Sequence, residues 1–169
     1  WFTLELENAK PQTLASNNAS IVSDVHVNPL PVSFDARVLV VEDNQINQMV
    51  ARSMLGELGI EPDFSENGKA ALHALETLPY DLVFMDCQMP VMDGYQAARC
   101  IRDPSFNIYA EKEGDRRIPI IAMTANAMEG DREKCISAGM DDFISKPVEE
   151  ARLQQILLNW LPKVSGEKR

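Results

Sequence analysis

Cysteine, histidine and basic charge are all scarce in this chain, and no long apolar run interrupts it. The three cysteines, Cys87, Cys100 and Cys135, stand far apart with no CxxC among them. An odd, scattered set builds neither a disulfide framework nor a zinc site and fits a reducing compartment, so the expected location is cytoplasmic. The two histidines, His26 and His73, fall in a polar stretch and on a polar helix position and read as surface residues. Sixteen basic against 26 acidic side chains leave a formal charge of -10. A chain of that sign repels a phosphate backbone, which argues against nucleic acid as a partner and against anionic membrane surfaces. No stretch approaches the roughly 18 to 20 apolar residues of a membrane span, so no direct membrane contact is expected. The chain starts at Trp1 without a basic-then-apolar leader and reads as an internal piece of something longer. Nothing in the pattern speaks to oligomeric state.

What is present is ordinary for a folded domain. The 169 residues are 45% hydrophobic and 25% charged, enough for one domain and a tail. Residues 1–8 open with strict alternation, Phe2, Leu4 and Leu6 against Thr3, Glu5 and Glu7, as in a half-buried strand. Residues 9–35 are rich in Pro, Ser, Asn and Ala without sustained period and read as a linker. The main domain is expected at 36–163, with a short tail at 164–169.

Within that domain, Val38-Leu39-Val40-Val41 is a β-branched run of the kind buried on both faces. Ile46, Met49, Val50, Met54 and Leu58 follow at helical spacing, and Gly59 is a natural stop. A weaker strand (about Glu61 to Ser65) precedes a helix carrying Ala71, Leu72, Leu75 and Leu78. Asp81 to Met85 is the next strand, Gly94 to Arg102 a short helix, and Asp103 to Arg117 a long polar loop. Ile118 to Met123 forms a fourth strand and Met128 to Ala138 a helix capped by Gly139. Asp142 to Ser145 is the last strand. A final helix carries the stripe Leu153, Ile156, Leu157, Trp160 and Leu161. Five βα units with right-handed crossovers predict a doubly wound α/β fold, one five-stranded parallel sheet with five helices.

In such a sheet, sites form at the carboxyl ends of the strands. Glu42 and Asp43 follow the first apolar strand, Asp86 the third, Thr124 the fourth and Lys146 the fifth. One sheet edge therefore gathers three carboxylates, a hydroxyl and an ammonium. Two like charges about 4 Å apart repel by roughly 4 kcal/mol at an effective dielectric near 20. A single Lys does not offset three acids, so the arrangement calls for a divalent cation. Oxygen donors without His or Cys point to Mg²⁺. Asp86 is then the nucleophile toward a phosphoryl group. Lys146 and Thr124 stabilise its oxygens, and no separate base is needed because the carboxylate is already ionised. Asp93, just before Gly94, reads as a helix cap.

Four segments together resemble the response-regulator receiver family, of flavodoxin-like topology. They are Val40-Val41-Glu42-Asp43-Asn44, the run Met85-Asp86-Cys87-Gln88-Met89-Pro90-Val91-Met92-Asp93-Gly94, Met123-Thr124-Ala125, and Ser145-Lys146-Pro147. They stand in the family's order at predicted strand ends, and the resemblance runs from Arg37 to Pro162. It implies that Asp86 is the phosphorylation site. It also implies that Asp43, Asp86 and the Gln88 main-chain carbonyl hold Mg²⁺, with Glu42 acting through water. Thr124 and Lys146 would contact the phosphoryl group, and Lys146-Pro147 would be a cis peptide. Phe143 falls at the family's switch aromatic, expected to turn inward as Thr124 moves and so reshape the face of the fourth helix, fifth strand and fifth helix.

Glu42-Asp43-Asn44 with Asn47, and Thr124-Ala125-Asn126-Ala127-Met128, resemble receivers fused to histidine kinases. Trp1 to Leu6 resembles the last strand of a kinase ATP-binding domain. The resemblance thus implies a hybrid sensor histidine kinase as parent, whose membrane anchor, if any, lies elsewhere. Its partners would be a histidine kinase dimerisation and phosphoacceptor domain or a histidine phosphotransfer domain. Neither His26 nor His73 resembles a kinase's phosphoacceptor histidine.

Other functions fit less well. A phosphatase or phosphomutase with a nucleophilic Asp needs an acid two residues on, where this chain has Gln88. A flavin binder needs a phosphate-cradling loop after the first strand, where Glu42-Asp43-Asn44 repels phosphate. The remaining alternative is a receiver-like docking module that is never phosphorylated.

Overall fold

The structure, a computed structural model, describes residues 34–106, 117–125 and 129–162. The expected N-terminal strand, residues 9–33 of the linker with His26, most of the polar loop, residues 126–128 and the tail from 163 lie outside the described residues. Phe34, expected in the linker, is instead buried in the same core as Val38 and Val40, because an aromatic side chain beside the first strand gains by leaving water.

Five strands, β1 (Val38–Val41), β2 (Asp63–Ser65), β3 (Leu82–Asp86), β4 (Ile120–Thr124) and β5 (Asp142–Ser145), alternate with five helices. These are α1 (Gln45–Glu57), α2 (Gly68–Thr77), α3 (Gly94–Arg102), α4 (Glu129–Ser137) and α5 (Glu150–Trp160). All strand pairs are parallel, in the order β2-β1-β3-β4-β5. The expected doubly wound α/β fold is the one found. From β1 the chain steps outward to β2 and then crosses back to β3, so its direction of winding reverses between β1 and β3, where open α/β sheets place their sites.

Every residue of β1, β3 and β4 is buried, because helices cover both faces. Alternation sorts them into two cores. Leu39, Val41, Val83, Met85, Ile120 and Ala122 pack with the apolar residues of α2, α3 and α4. Val38, Val40, Leu82, Phe84, Ile121 and Met123 pack with those of α1 and α5. Gly59 and Gly139 end α1 and α4 at φ 78° and 94°, a left-handed turn that a side chain resists.

The apolar stripe expected on α1 divides in two. Leu55 and Leu58 are buried and Met54 is half-buried, but Ile46 and Met49 are each 71% exposed and Val50 46%. Nine residues from Ile46 to Leu55 make about two and a half turns, so those two side chains point to opposite sides of the helix. Leu78, expected inward, caps the end of α2 and is 36% exposed. On α5 the stripe is buried at Leu153, Ile156, Leu157 and Leu161. Trp160 is half-buried and donates its indole N–H to Asp142 at 3.3 Å. Among the described residues no helix is long and apolar enough to cross a membrane.

Candidate functional site

The carboxyl ends of β1, β3, β4 and β5 meet at one edge. Glu42 directly follows β1 and is only 1% exposed; Asp86 ends β3 at 7%, and Thr124 ends β4 at 6%. Asp43 is exposed and Lys146 half-buried. Carboxylate oxygens of Glu42, Asp43 and Asp86 all lie within 4.8 Å of one another. Lys146 Nζ reaches Glu42 Oε2 at 2.5 Å and Asp86 Oδ2 at 2.6 Å. Its main-chain N–H donates to Thr124 O at 2.7 Å, which docks the turn after β5 onto the end of β4. The Lys146–Pro147 peptide is cis.

Local sequence builds each part of this edge. Asn44 caps α1, accepting from the N–H groups of Ile46 and Asn47. The cap's own N–H donates to Glu42 Oε1 at 3.2 Å, and Asn47 Nδ2 donates to the same oxygen at 2.9 Å. Gln48 Nε2 donates to the Glu42 carbonyl at 2.6 Å and ties the start of α1 to the end of β1. Asp86 Oδ1 accepts from the Gln88 N–H at 3.1 Å. Asp93 is the cap of α3, accepting from Gln96 N–H at 2.7 Å. The next residue must be glycine, since a Cβ on Gly94 would stand 2.1 Å from the Asp86 carbonyl oxygen. Between them, Val91 adopts φ 71°, a costly left-handed conformation for a β-branched residue. That strain sits on the loop carrying the acid.

The electrostatics follow from burial. Burial pushes the Asp86 carboxyl above its usual range, against the Lys146 and Gln88 hydrogen bonds. For Lys146 burial acts downward, but hydrogen bonds to Asp86 and Glu42, with their charges, outweigh it and raise the pKa. The two shifts pull the ion pair in opposite senses. One ammonium held by two carboxylates favours the charged pair at neutral pH. The donor set suits a hard divalent cation: oxygen ligands only, with Asp43 exposed as an entry side. Both Glu42 oxygens already accept hydrogen bonds, which suits that residue to a cation's bound water more than to the cation itself.

Phe143 is half-buried, with the Arg132 guanidinium 5.8 Å from its ring centre. Its carbonyl accepts from Arg152 of α5. Beside Lys146 a largely apolar cleft of about 270 Å³ opens between α1 and the turn after β5, lined in part by Asn47, Val50, Met54 and Val148.

One neighbour was invisible in the sequence. Cys87 Sγ lies 3.9 Å from Cys135 Sγ of α4, 48 residues away. Burial, then the charge of the second sulfur, push the Cys87 thiol up to about 12, which holds Cys87 as an unreactive thiol. His73 is exposed and lies beside Glu76, as a surface residue.

The sequence profile of the response regulator receiver domain matches residues 38–158. Probable histidine kinase 1 of Oryza sativa subsp. indica is 40% identical over 156 residues, covering 78% of this chain and 16% of its own length. Sensor histidine kinase GacS of Pseudomonas protegens is 41% identical over 124 residues, covering 73% and 13%. The chain thus spans only a small part of these relatives. Among solved structures, the receiver domain of sensor histidine kinase PA1611 from Pseudomonas aeruginosa, with a magnesium ion coordinated in its active site cleft, is similar at 46% identity. The TM-score is 0.63, covering 74% of this chain and 96% of that one. A receiver domain of the response regulator Ssk1, solved with the Saccharomyces cerevisiae histidine phosphotransfer protein Ypd1, is similar at 32% identity. The TM-score is 0.70, covering 76% and 90%.

Proposed function

Since the chain belongs to the response regulator receiver domain family, we propose that it accepts a phosphoryl group from a phosphohistidine onto Asp86 in a Mg²⁺-dependent His-Asp phosphorelay. The observation that carries this reading is Lys146 Nζ, 2.5 Å from Glu42 and 2.6 Å from Asp86, beside carboxylates gathered within 4.8 Å.

Asp86, Asp43 and the Gln88 carbonyl would hold the cation, and Glu42 would hold one of its waters. Bound there, Mg²⁺ supplies charge neutralisation for the phosphoryl oxygens. An Asp86 carboxylate oxygen attacks phosphorus, the N–P bond breaks, and the imidazole leaves with the bonding electron pair. Lys146 moves its charge from the carboxylate to a phosphoryl oxygen, and the Thr124 hydroxyl donates to another. Phe143 and Thr124 would then carry the change to the face of α4, β5 and α5.

The donor would be a helical histidine-bearing domain, in the same chain or another. Ile46, Met49 and Val50 support this, exposing apolar surface on α1 beside the acids. The Ypd1 complex of a similar receiver supports it as well. The parent protein would be a hybrid sensor histidine kinase, with residues 36–163 as its receiver.

Intact-mass measurement after incubation with acetyl phosphate tests the chemistry. One added phosphoryl group is expected with Mg²⁺, none without it, and none on an Asp86→Asn variant. A wild-type chain that gains no adduct, and also fails to bind beryllofluoride, would leave the docking-module reading in its place.

A further inference from the structure

Asn47 stands beside the acids and takes no part in the phosphoryl chemistry. It occupies the third helical position of α1, where a capping box would send a side chain back to the N–H of the cap residue. Here that N–H, from Asn44, goes to Glu42 Oε1 at 3.2 Å. The need of the helix is therefore met by Glu42. The Asn47 amide goes instead to the same carboxylate oxygen, at 2.9 Å. A carboxylate only accepts, so the NH₂ end of the amide must face it.

We infer that Asn47 is a positioning residue. It fixes the orientation of the Glu42 carboxylate, and through it the station of Lys146, so that the acid cluster is set for Mg²⁺. The inference rests on the metal reading of Glu42, Asp43 and Asp86 given above.

Three features carry it. Glu42 is 1% exposed, so its rotation is governed by its partners and not by water. Those partners divide by oxygen: Asn44 N–H and Asn47 on Oε1, Lys146 on Oε2. Without Asn47, Oε1 keeps only the longer main-chain bond. The carboxylate is then freer to turn, and the ammonium attached to Oε2 turns with it, relative to Asp86. The third feature is charge. An amide orients the acid while leaving the charge of the cluster unchanged. A Lys or Arg at this position would make the same bond but oppose the cation.

Loss of a hydrogen-bonding partner behind a metal site lowers metal affinity by about tenfold or more. The test is equilibrium titration of the unphosphorylated chain with MgCl₂, followed by amide proton and nitrogen shifts. Asn47→Ala and the similarly shaped Asn47→Leu are each expected to raise the Kd for Mg²⁺ by about tenfold. Asn47→Gln, which restores an amide, is expected to return it to within about threefold of wild type. Gln48→Ala removes only the tie to the Glu42 carbonyl and is expected to leave the Kd within about twofold.

Equal loss in Gln48→Ala and Asn47→Ala would reduce the effect to anchoring of α1 and overturn the assignment. So would Asn47→Ala and Asn47→Leu binding as wild type does, or Asn47→Gln binding no better than Asn47→Leu. Asp43→Asn separates the two levels. If it too binds Mg²⁺ like wild type, the metal reading of the cluster falls and Asn47 falls with it. If it loses Mg²⁺ while Asn47→Ala does not, only the positioning role is lost.

Discussion

Asp86 is buried, and the proposed phosphoryl transfer requires it as a carboxylate, so the two conditions conflict. Burial holds its carboxyl above the ordinary 3.8. A raised folded pKa means that Asp86 favours folding below 3.8, and that this contribution is lost as pH rises through the folded value. The acid thus works against the fold at neutral pH, as catalytic groups often do. The Lys146 pKa is also raised; its contribution is full below 10.5 and is lost only above that, as pH climbs through the folded value. In the proposed reaction only the ionised Asp86 attacks. Initial rates of phosphorylation by acetyl phosphate at low, subsaturating Mg²⁺ should therefore fall on acidification with a midpoint above 3.8. Lys146 should impose no fall on the alkaline side below 10.5. A midpoint at or below the ordinary Asp value would mean that Asp86 is not held as described.

At the scale of elements, the strands were legible because both of their faces are buried, so β1, β3 and β4 read as continuous apolar runs. The helices were legible in place, and on α5 in facing as well, but on α1 the facing was not. On α1 one outward stripe and one inward stripe follow each other at helical spacing, and only packing separates them. The Arg102 clasp at the end of α3 carried no sequence signal at all. Its guanidinium donates to the carbonyls of Gly139 and Ile118 and to Asp141 at 2.6 Å. Asp141 also accepts the Ile120 N–H, so the clasp joins α3, the start of β4 and the turn before β5. Burial lowers the Arg102 pKa, opposed by the charge of Asp141. With both side chains about 15% exposed, Arg102→Met should cost about 3 kcal/mol in urea unfolding. Arg117, which meets Asp141 at 3.1 Å but is 56% exposed, should cost less than about 1 kcal/mol as Ala. Equal costs for the two would show that burial of the clasp contributes nothing.

Over the whole molecule, the acid edge places three carboxylates within 4.8 Å with one ammonium among them. Such a cluster destabilises the metal-free fold through like-charge repulsion, and a divalent cation relieves it. In EDTA, Asp43→Asn should therefore melt above wild type by a few degrees, about 2 to 6 °C. Added Mg²⁺ should raise the melting temperature of wild type and leave that of Asp43→Asn nearly unchanged. A variant that melts lower in EDTA would mean that Asp43 supports the fold instead of straining it.

The sequence by itself determined the class of fold, because hydrophobic period and strand-end punctuation are local properties that repeat along the chain. It also marked Glu42, Asp43, Asp86, Thr124 and Lys146, because βα winding sends the end of every parallel strand to the same edge. Only the tertiary structure decided what each of these groups touches. That Glu42 is clasped by Lys146, 104 residues on, that Cys87 meets Cys135 across 48 residues, and that Arg102 knots the far edge are facts of distance between remote segments. No local period encodes them, since a hydrogen bond depends on where two elements pack and not on how either one repeats.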